Sequence, residues 1–127
     1  MKTILVDAIN TFVIKGQKIF NEMHKMLEQY PNKKIILTGA DDEEMEKFGL
    51  NDMPYEVFTL KHNPDKVNPK YFKMMFEHFK LDAKDVIYFE HNKDAVKSAQ
   101  AVKINTFHYD KDTKNIVALK KFIDNNL

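Results

Sequence analysis

The sequence predicts an α/β fold, a single three-layer, doubly wound domain with a five-stranded, mainly parallel sheet. Apolar runs of strand length alternate with stretches of helical periodicity along the chain, which is typical of a parallel sheet covered by helices on both faces. The breaks between these elements are short and carry Gly, Pro, Asn or Asp, residues that favour turns. With 127 residues the chain is long enough for one hydrophobic core, so we expect one domain over residues 1–127.

Five apolar segments are the predicted strands, at about residues 2–7, 34–38, 55–59, 85–89 and 104–108. The second, fourth and fifth are continuous enough in apolar residues that we expect them to be buried on both faces. Helices are predicted where apolar residues repeat at steps of three and four. These stripes comprise Ile19, Phe20, Met23, Met26, Leu27 and Tyr30, then Phe72, Met75, Phe76 and Phe79, then Ile116, Leu119, Phe122 and Ile123. We interpret them as helix faces that pack on the sheet.

The composition argues against several classes of function. The 20 basic and 19 acidic residues leave a formal charge of +1, without a basic cluster interleaved with aromatic residues, so we expect no nucleic-acid partner. The absence of cysteine excludes disulfides, thiolate metal sites and thiol nucleophiles. The sequence has no recognisable signal peptide or membrane segment, so we expect a cytoplasmic protein without a membrane partner. All basic residues are Lys, so a bound oxyanion must be met by ammonium groups, backbone amides or a metal.

Three predicted strands end on polar residues that are able to bind phosphate or metal. Asp7 ends the first strand and is followed four positions later by Thr11, Thr38-Gly39 ends the second strand, and Glu90 ends the fourth. The carboxyl ends of parallel strands meet at one edge of the sheet, where open α/β sheets bind their ligands. We therefore expect these side chains to converge on one crevice.

Four segments, taken in order, resemble the motifs of the haloacid dehalogenase-like (HAD) superfamily. They are Asp7-x-x-x-Thr11, the strand ending Thr38-Gly39, the helix-opening segment from Lys66 to Phe72, and Glu90-x-x-x-Asp94. The resemblance covers about residues 2–109. It implies a Rossmann-like fold and a phosphoric-ester hydrolase that uses Mg²⁺ and acts on a small phosphorylated molecule.

The resemblance also implies a role for each matching residue. Asp7 corresponds to the nucleophile that attacks a phosphoryl group, an attack that a neighbouring cation makes possible. Thr38 and Gly39 correspond to the phosphate cradle, and Lys66 corresponds to the cation that neutralises the nucleophile and the phosphoryl oxygens. The implied ligands of the Mg²⁺ ion, which prefers hard oxygen donors, are Asp7, the Ile9 carbonyl, Glu90 and Asp94.

The chain departs from the family pattern at the site itself. Ile9 replaces the Asp that protonates the leaving group in the family's phosphatases, and Asn10 and Phe89 replace glycines. General acid–base catalysis is worth ~10²- to 10⁴-fold, so we expect slow hydrolysis of alkyl phosphates and a preference for acyl or aryl phosphates, whose leaving groups need no proton. The alternative is a catalytically inactive domain that binds a ligand or a protein partner through the same crevice.

The spacing of the motifs predicts an open site. About 26 residues separate Asp7 from the second strand, and about 27 separate Thr38 from Lys66. Neither segment is long enough for an inserted cap domain. We therefore expect a minimal core whose crevice faces solvent or a partner macromolecule.

Two residues near the fourth strand have more than one interpretation. Asp94 is either a metal ligand or an acid in the first turn of a helix, where negative charge is favourable. His91 is adjacent to Glu90 and is a candidate substitute for the missing acid, since its pKa lies near neutral pH. We nevertheless expect His91 to be a solvent-facing loop residue.

Overall fold

The computed structural model of the protein describes residues 1–14 and 18–127. In chain order the elements are β1 (Thr3–Asp7), β2 (Val13–Ile14), β3 (Lys18–Ile19), α1 (Asn21–Leu27), β4 (Lys34–Thr38), α2 (Asp42–Lys47), β5 (Glu56–Thr59), α3 (Lys70–Phe79), a 3₁₀ turn (Ala83–Asp85), β6 (Val86–Glu90), α4 (Lys93–Ala101), β7 (Asn105–His108) and α5 (Ile116–Asn126). All five predicted strands are present, each within about two residues of its predicted bounds.

Five of the strands form one parallel sheet in the order β5-β4-β1-β6-β7. The first strand is therefore the central one. Its residue Val6 is in register with Ile36 of β4 and with Phe89 of β6, so the carboxyl ends of the three strands lie side by side. This register brings the three polar strand ends to one edge of the sheet, as the sequence predicts.

Alternate side chains of the central strand pack in two hydrophobic cores, one on each face of the sheet. Ile4 and Val6 pack on one face with α1 and α5, and Leu5 packs on the other face with α3 and α4. All three side chains have no exposed area. Apolar surface is thus removed from water on both sides of the sheet, which stabilises the fold by about 25 cal/mol per Å² and confirms the predicted three-layer arrangement.

Two expectations about individual elements are wrong. Strand β7 is not buried on both faces: it lies at the edge of the sheet, and Asn105 and His108 are exposed. The first strand takes the fully buried place instead. Ile19 does not begin a helical stripe, since it belongs to β3, which pairs with β2 in an antiparallel hairpin, and Phe20 only precedes α1. The hairpin has too few residues to give a periodic signal.

The described residues contain no inserted cap domain. The segment between β1 and β4 holds the hairpin and α1, and the segment between β4 and α3 holds α2, β5 and a loop. The chain thus has the predicted minimal α/β core. None of the helices in the described ranges is both long enough and apolar enough to span a bilayer.

Candidate active site

Asp7, Lys66 and Glu90 form the centre of the site, although they lie far apart in sequence. The Lys66 ammonium nitrogen is 2.6 Å from Asp7 Oδ1 and 2.7 Å from Glu90 Oε1. It also donates to the Leu37 carbonyl at 3.2 Å. The side chains of Asp7 and Glu90 are 2% and 0% exposed. The lysine therefore bridges two buried carboxylates at the ends of β1 and β6.

The second oxygen of each carboxylate faces His91. The His91 ring nitrogen Nδ1 contacts Asp7 Oδ2 and lies 3.3 Å from Glu90 Oε2. The His91 backbone N–H donates to Asp7 Oδ2 at 3.2 Å, and the Thr11 hydroxyl donates to the same oxygen at 2.6 Å. Each carboxylate thus has one oxygen toward Lys66 and one toward His91.

These contacts set the charge of the groups. Burial disfavours the ionised form of Asp7, but Lys66 and His91 outweigh it and hold the pKa of Asp7 well below its usual range. Burial also disfavours charged Lys66, yet Asp7 and Glu90 raise its pKa above the usual value. Burial opposes the imidazolium form of His91 as well, but its hydrogen bonds to the two carboxylates raise its pKa to about 9. At neutral pH Asp7 is ionised, and both Lys66 and His91 are cations.

The predicted phosphate cradle lines the same cleft, which has a volume of about 350 Å³. Thr38 Oγ1 accepts a hydrogen bond from the Ala40 N–H at 3.2 Å and, among the described residues, donates none, so its proton is available to a ligand oxygen. Tyr71 fixes the Thr38 carbonyl with a hydrogen bond of 2.8 Å. Thr38 and Gly39 both face the cleft that holds Asp7 and Lys66.

Gly39 lies beneath a charged cluster at the mouth of the cleft. A Cβ atom at this position would lie 3.1 Å from Asp65 Oδ1 and 3.4 Å from His62 Nδ1. His62 contacts Asp65 through Nδ1 and Glu44 through Nε2, and these bonds raise its pKa to about 9. This cluster, the Glu44–His62–Asp65 rim, leaves room for a backbone N–H at Gly39 but not comfortably for a side chain.

The loop after β1 has the geometry that its unusual residues require. Asn10 adopts a positive φ of 68°, a conformation that Asn tolerates better than most residues. The Asn10 N–H donates to the Val13 carbonyl at 2.8 Å, which turns the chain into the β2–β3 hairpin. Ile9 is half-buried, packs beside one core and lines the cleft. Position 9 therefore faces the site and carries an alkyl group, which cannot transfer a proton.

Asp94 is the one candidate that does not join the cluster. Its side chain is exposed in the first turn of α4 and borders a separate shallow groove beside Val67 and Lys97. Asn92 caps this helix by accepting from the N–H groups of Asp94 and Ala95, and the cap turns the Asp94 side chain outward. The interpretation of Asp94 as an acid in the first turn of a helix agrees with this geometry.

Three features of the site were missed or misjudged from sequence. His91 is not a solvent-facing loop residue, since its side chain is only 20% exposed and contacts both carboxylates. Tyr88 donates to Glu90 Oε1, and strand alternation from Glu90 is the signal that would have found it. The Glu44–His62–Asp65 rim has no such signal, because 18 residues separate Glu44 from His62.

The donor set fits a divalent cation. One ligand atom from each of Asp7, Glu90 and His91 lies within 4.8 Å of the others. Two of these donors are carboxylate oxygens, which suit hard cations, and the third is an imidazole nitrogen. Of the four predicted ligands, Asp7 and Glu90 belong to this group, Ile9 lines the cleft, and Asp94 is not among the residues that line it.

Comparison with solved structures identifies the fold. A HAD-family enzyme from Bacteroides thetaiotaomicron, solved as an aspartate-to-alanine mutant in complex with magnesium and inorganic phosphate, superposes with a TM-score of 0.68 at 13% identity, over 85% of this chain and 93% of that chain. The chain has the HAD-like fold.

Two further structures share this fold over most of the chain. An uncharacterized protein from Corynebacterium glutamicum gives a TM-score of 0.61 at 13% identity, over 98% of this chain and 96% of that chain. D,D-heptose 1,7-bisphosphate phosphatase from Burkholderia thailandensis gives a TM-score of 0.54 at 10% identity, over 82% of this chain and 75% of that chain. No protein-family model and no curated protein matches the sequence. The likeness of this HAD-like chain to known proteins is thus one of fold.

Proposed function

We propose that the cleft binds a phosphoryl group and that the chain is a magnesium-dependent phosphatase of the HAD type, slow or selective because Ile9 replaces the general acid. The observation that carries this proposal is the Lys66 ammonium held between Asp7 Oδ1 and Glu90 Oε1 beside Thr38 and Gly39. That arrangement supplies a carboxylate nucleophile, a cation against it and donors for phosphoryl oxygens in one cleft. The fold neighbours include a phosphatase and a HAD-family enzyme solved with magnesium and phosphate, which supports the same class.

In the proposed reaction, a carboxylate oxygen of Asp7 forms a bond to phosphorus while the bond from phosphorus to the leaving oxygen breaks. Lys66 reduces the repulsion between the carboxylate and the anionic ester. The Thr38 hydroxyl and the Gly39 N–H bind the phosphoryl oxygens. Water then attacks the phosphorus of the acyl phosphate, which regenerates the Asp7 carboxylate and releases inorganic phosphate, and the proton of that water passes to solvent.

The rate of the proposed hydrolysis depends on whether the leaving group needs a proton. Ile9 cannot transfer a proton, so an alkoxide must leave without protonation, whereas an aryl or acyl phosphate releases a stable anion. The expected substrates are therefore small acyl or aryl phosphates that fit a cleft of about 350 Å³. An open mouth without a cap domain also admits a phosphorylated side chain of a protein partner.

Asp7 and Glu90 are the residues that would hold Mg²⁺ through their carboxylates, with the Ile9 carbonyl and water completing the shell. When bound, the ion supplies positive charge that offsets the negative charge of the phosphoryl group. Asp94 is exposed and is not among the residues whose donor atoms lie within 4.8 Å of one another, so it leaves this proposed set.

A second candidate function is a catalytically silent domain that binds a phosphorylated or other anionic ligand. One observation favours it: each of the four carboxylate oxygens of Asp7 and Glu90 already accepts a hydrogen bond from a protein group, with Thr11, Lys66 and Asn92 among the donors. A nucleophile satisfied in this way is less reactive toward phosphorus.

Turnover of p-nitrophenyl phosphate with Mg²⁺ tests both functions. We expect the wild type to hydrolyse this ester and Asp7→Asn to lose at least ~10²-fold in kcat, since only the carboxylate is nucleophilic. Asp112→Asn is the matched control, because the Asp112 side chain is 81% exposed, and it should retain full activity. Activity retained in Asp7→Asn would show that Asp7 is not the nucleophile. A wild type that binds phosphate but turns over neither aryl nor acyl phosphates would favour the silent domain.

A further inference from the structure

His91 presents a nitrogen at the point where the oxygens of three other residues converge. Its Nδ1 contacts Asp7 Oδ2, lies 3.3 Å from Glu90 Oε2 and lies 3.4 Å from the Thr11 hydroxyl. Carboxylate oxygens are acceptors, and the lone pair of a neutral imidazole nitrogen would be repelled by them. Nδ1 therefore carries either a proton, which it donates to the carboxylates, or a metal ion that it shares with them.

The spacing of the donor atoms suits a metal ion. Bonds of about 2.0 to 2.2 Å from a divalent metal to nitrogen and oxygen place neighbouring ligand atoms about 3.0 Å apart in octahedral geometry and about 3.4 Å apart in tetrahedral geometry. The distance of 3.3 Å between His91 Nδ1 and Glu90 Oε2 lies in this range. The contact between Nδ1 and Asp7 Oδ2 is shorter than this range and has to lengthen when a metal ion replaces the proton.

Lys66 leaves this position free. Its ammonium group binds Asp7 Oδ1 and Glu90 Oε1, the oxygens on the opposite side of the two carboxylates. The side chains of Asp7 and Glu90 are buried and therefore hold Oδ2 and Oε2 in place. The residue that would have made this an all-carboxylate site, Asp94, is exposed outside the cluster.

We infer that His91 Nδ1 is a ligand, with Asp7 Oδ2 and Glu90 Oε2, of a site that prefers Mn²⁺, Co²⁺ or Zn²⁺ to Mg²⁺. Imidazole suits first-row transition metals, whereas Mg²⁺ favours oxygen ligands and keeps its waters. The inference rests on the proposed function only in that both concern the same cleft. It replaces the magnesium of that proposal with a class of metal set by this chain's own histidine.

Metal binding to the substrate-free protein tests the inference without any activity. Metal-stripped wild type is titrated with Co²⁺, followed by its visible d–d absorption, and with Mn²⁺, followed by the electron paramagnetic resonance of the free ion. Mg²⁺ affinity is measured by competition with Mn²⁺. We expect Mn²⁺ and Co²⁺ to bind at least ~10-fold tighter than Mg²⁺.

Substitution of the histidine separates its role from that of the carboxylates. His91→Asn should weaken the binding of Co²⁺ and Mn²⁺ at least ~10-fold and change the absorption spectrum of bound Co²⁺. It should alter the affinity for Mg²⁺ less than twofold. His78→Asn, at an exposed histidine outside the cleft, should bind all three ions like the wild type. His91→Gln provides a second variant if His91→Asn fails to fold, which circular dichroism reports.

Three results would overturn the inference: equal affinity of the wild type for Mg²⁺ and Co²⁺, unchanged Co²⁺ binding in both His91 variants, or no metal binding at millimolar concentration. The last result would mean that a proton on His91 Nδ1, and not a metal ion, occupies this position. None of these results decides hydrolysis, because turnover of p-nitrophenyl phosphate and its loss in Asp7→Asn are measured separately. Conversely, a protein that binds Co²⁺ through His91 but hydrolyses nothing would refute only the phosphatase.

Discussion

Replacing Lys66 with methionine should destabilise the protein more than any substitution of a surface lysine. The Lys66 ammonium lies 2.6 Å from Asp7 Oδ1 and 2.7 Å from Glu90 Oε1, and these two side chains are 2% and 0% exposed. Methionine has a similar length but no charge, so both carboxylates would remain buried without their shared cation. Removing one partner of a buried ion pair typically costs about 3 to 5 kcal/mol. For a chain of this length, that corresponds to a decrease in Tm of roughly 10 to 20 °C.

Urea unfolding at pH 7, followed by circular dichroism, measures the loss directly. Lys61→Met is the matched control, because Lys61 Nζ lies 3.1 Å from Asp42 Oδ1 but the two side chains are 58% and 84% exposed. Exposed pairs contribute about 0 to 1 kcal/mol, so the control should unfold near the wild-type midpoint. The double variant Lys66→Met/Glu90→Gln should recover part of the loss, since one uncompensated charge is gone.

A free energy of unfolding of Lys66→Met within about 1 kcal/mol of the wild-type value would refute this prediction, because the loss would be no larger than an exposed pair gives. Further destabilisation by the added Glu90→Gln substitution would refute it as well. Either result would mean that water reaches the two carboxylates and that Lys66 is not the cation that holds the site together.

Three further predictions concern other parts of the molecule. Ile9→Asp should raise the rate of alkyl phosphate hydrolysis by up to ~10²- to 10⁴-fold, because it supplies a group that can protonate the leaving oxygen. It should also lower the free energy of unfolding by roughly 1 to 3 kcal/mol, because the half-buried position then holds a polar group. A folded variant that hydrolyses no phosphate ester would contradict this. Hydrogen bonds to Glu44 and Asp65 raise the pKa of His62 to about 9. The stability that these bonds give should therefore be complete below about pH 6.5 and lost as the pH rises through 9. A wild-type profile of unfolding free energy against pH that runs parallel to that of His62→Gln would refute this. The buried Tyr109 hydroxyl has no hydrogen-bond partner within the described ranges, so Tyr109→Phe should leave thermal stability equal or higher, and a clear loss would reveal a missing partner.

The amino-acid pattern alone predicted the fold class and the sheet edge at which three polar strand ends meet. Apolar runs ending on Asp7, Thr38 and Glu90 identified three parallel strands, and parallel strands bring their carboxyl ends to one edge. Lys66 was implied by the resemblance of the segment from Lys66 to Phe72 to a HAD motif, and the structure puts its ammonium group between Asp7 and Glu90. Local periodicity and turn chemistry carry this information because strand burial and helix faces repeat over a few residues.

Which strands are fully buried was decided only by the tertiary structure. The run ending at His108 looked as apolar as a central strand, yet β7 lies at the edge while β1 is at the centre. Burial depends on the neighbours a strand acquires, and these come from distant parts of the chain. The β2–β3 hairpin was also missed, since two strands of two residues each show no period.

The roles of His91 and Asp94 were likewise decided in three dimensions. Both follow Glu90 closely in sequence; Asp94 had two open interpretations, as a ligand or as an acid in a helix turn, and His91 was expected to be a loop residue. The Asn92 cap fixes the first turn of α4 so that Asp94 points to solvent, while the His91 ring turns inward to Asp7 and Glu90. A sequence states which groups are available, but the direction of a side chain depends on backbone angles and on distant carboxylates that attract or repel it.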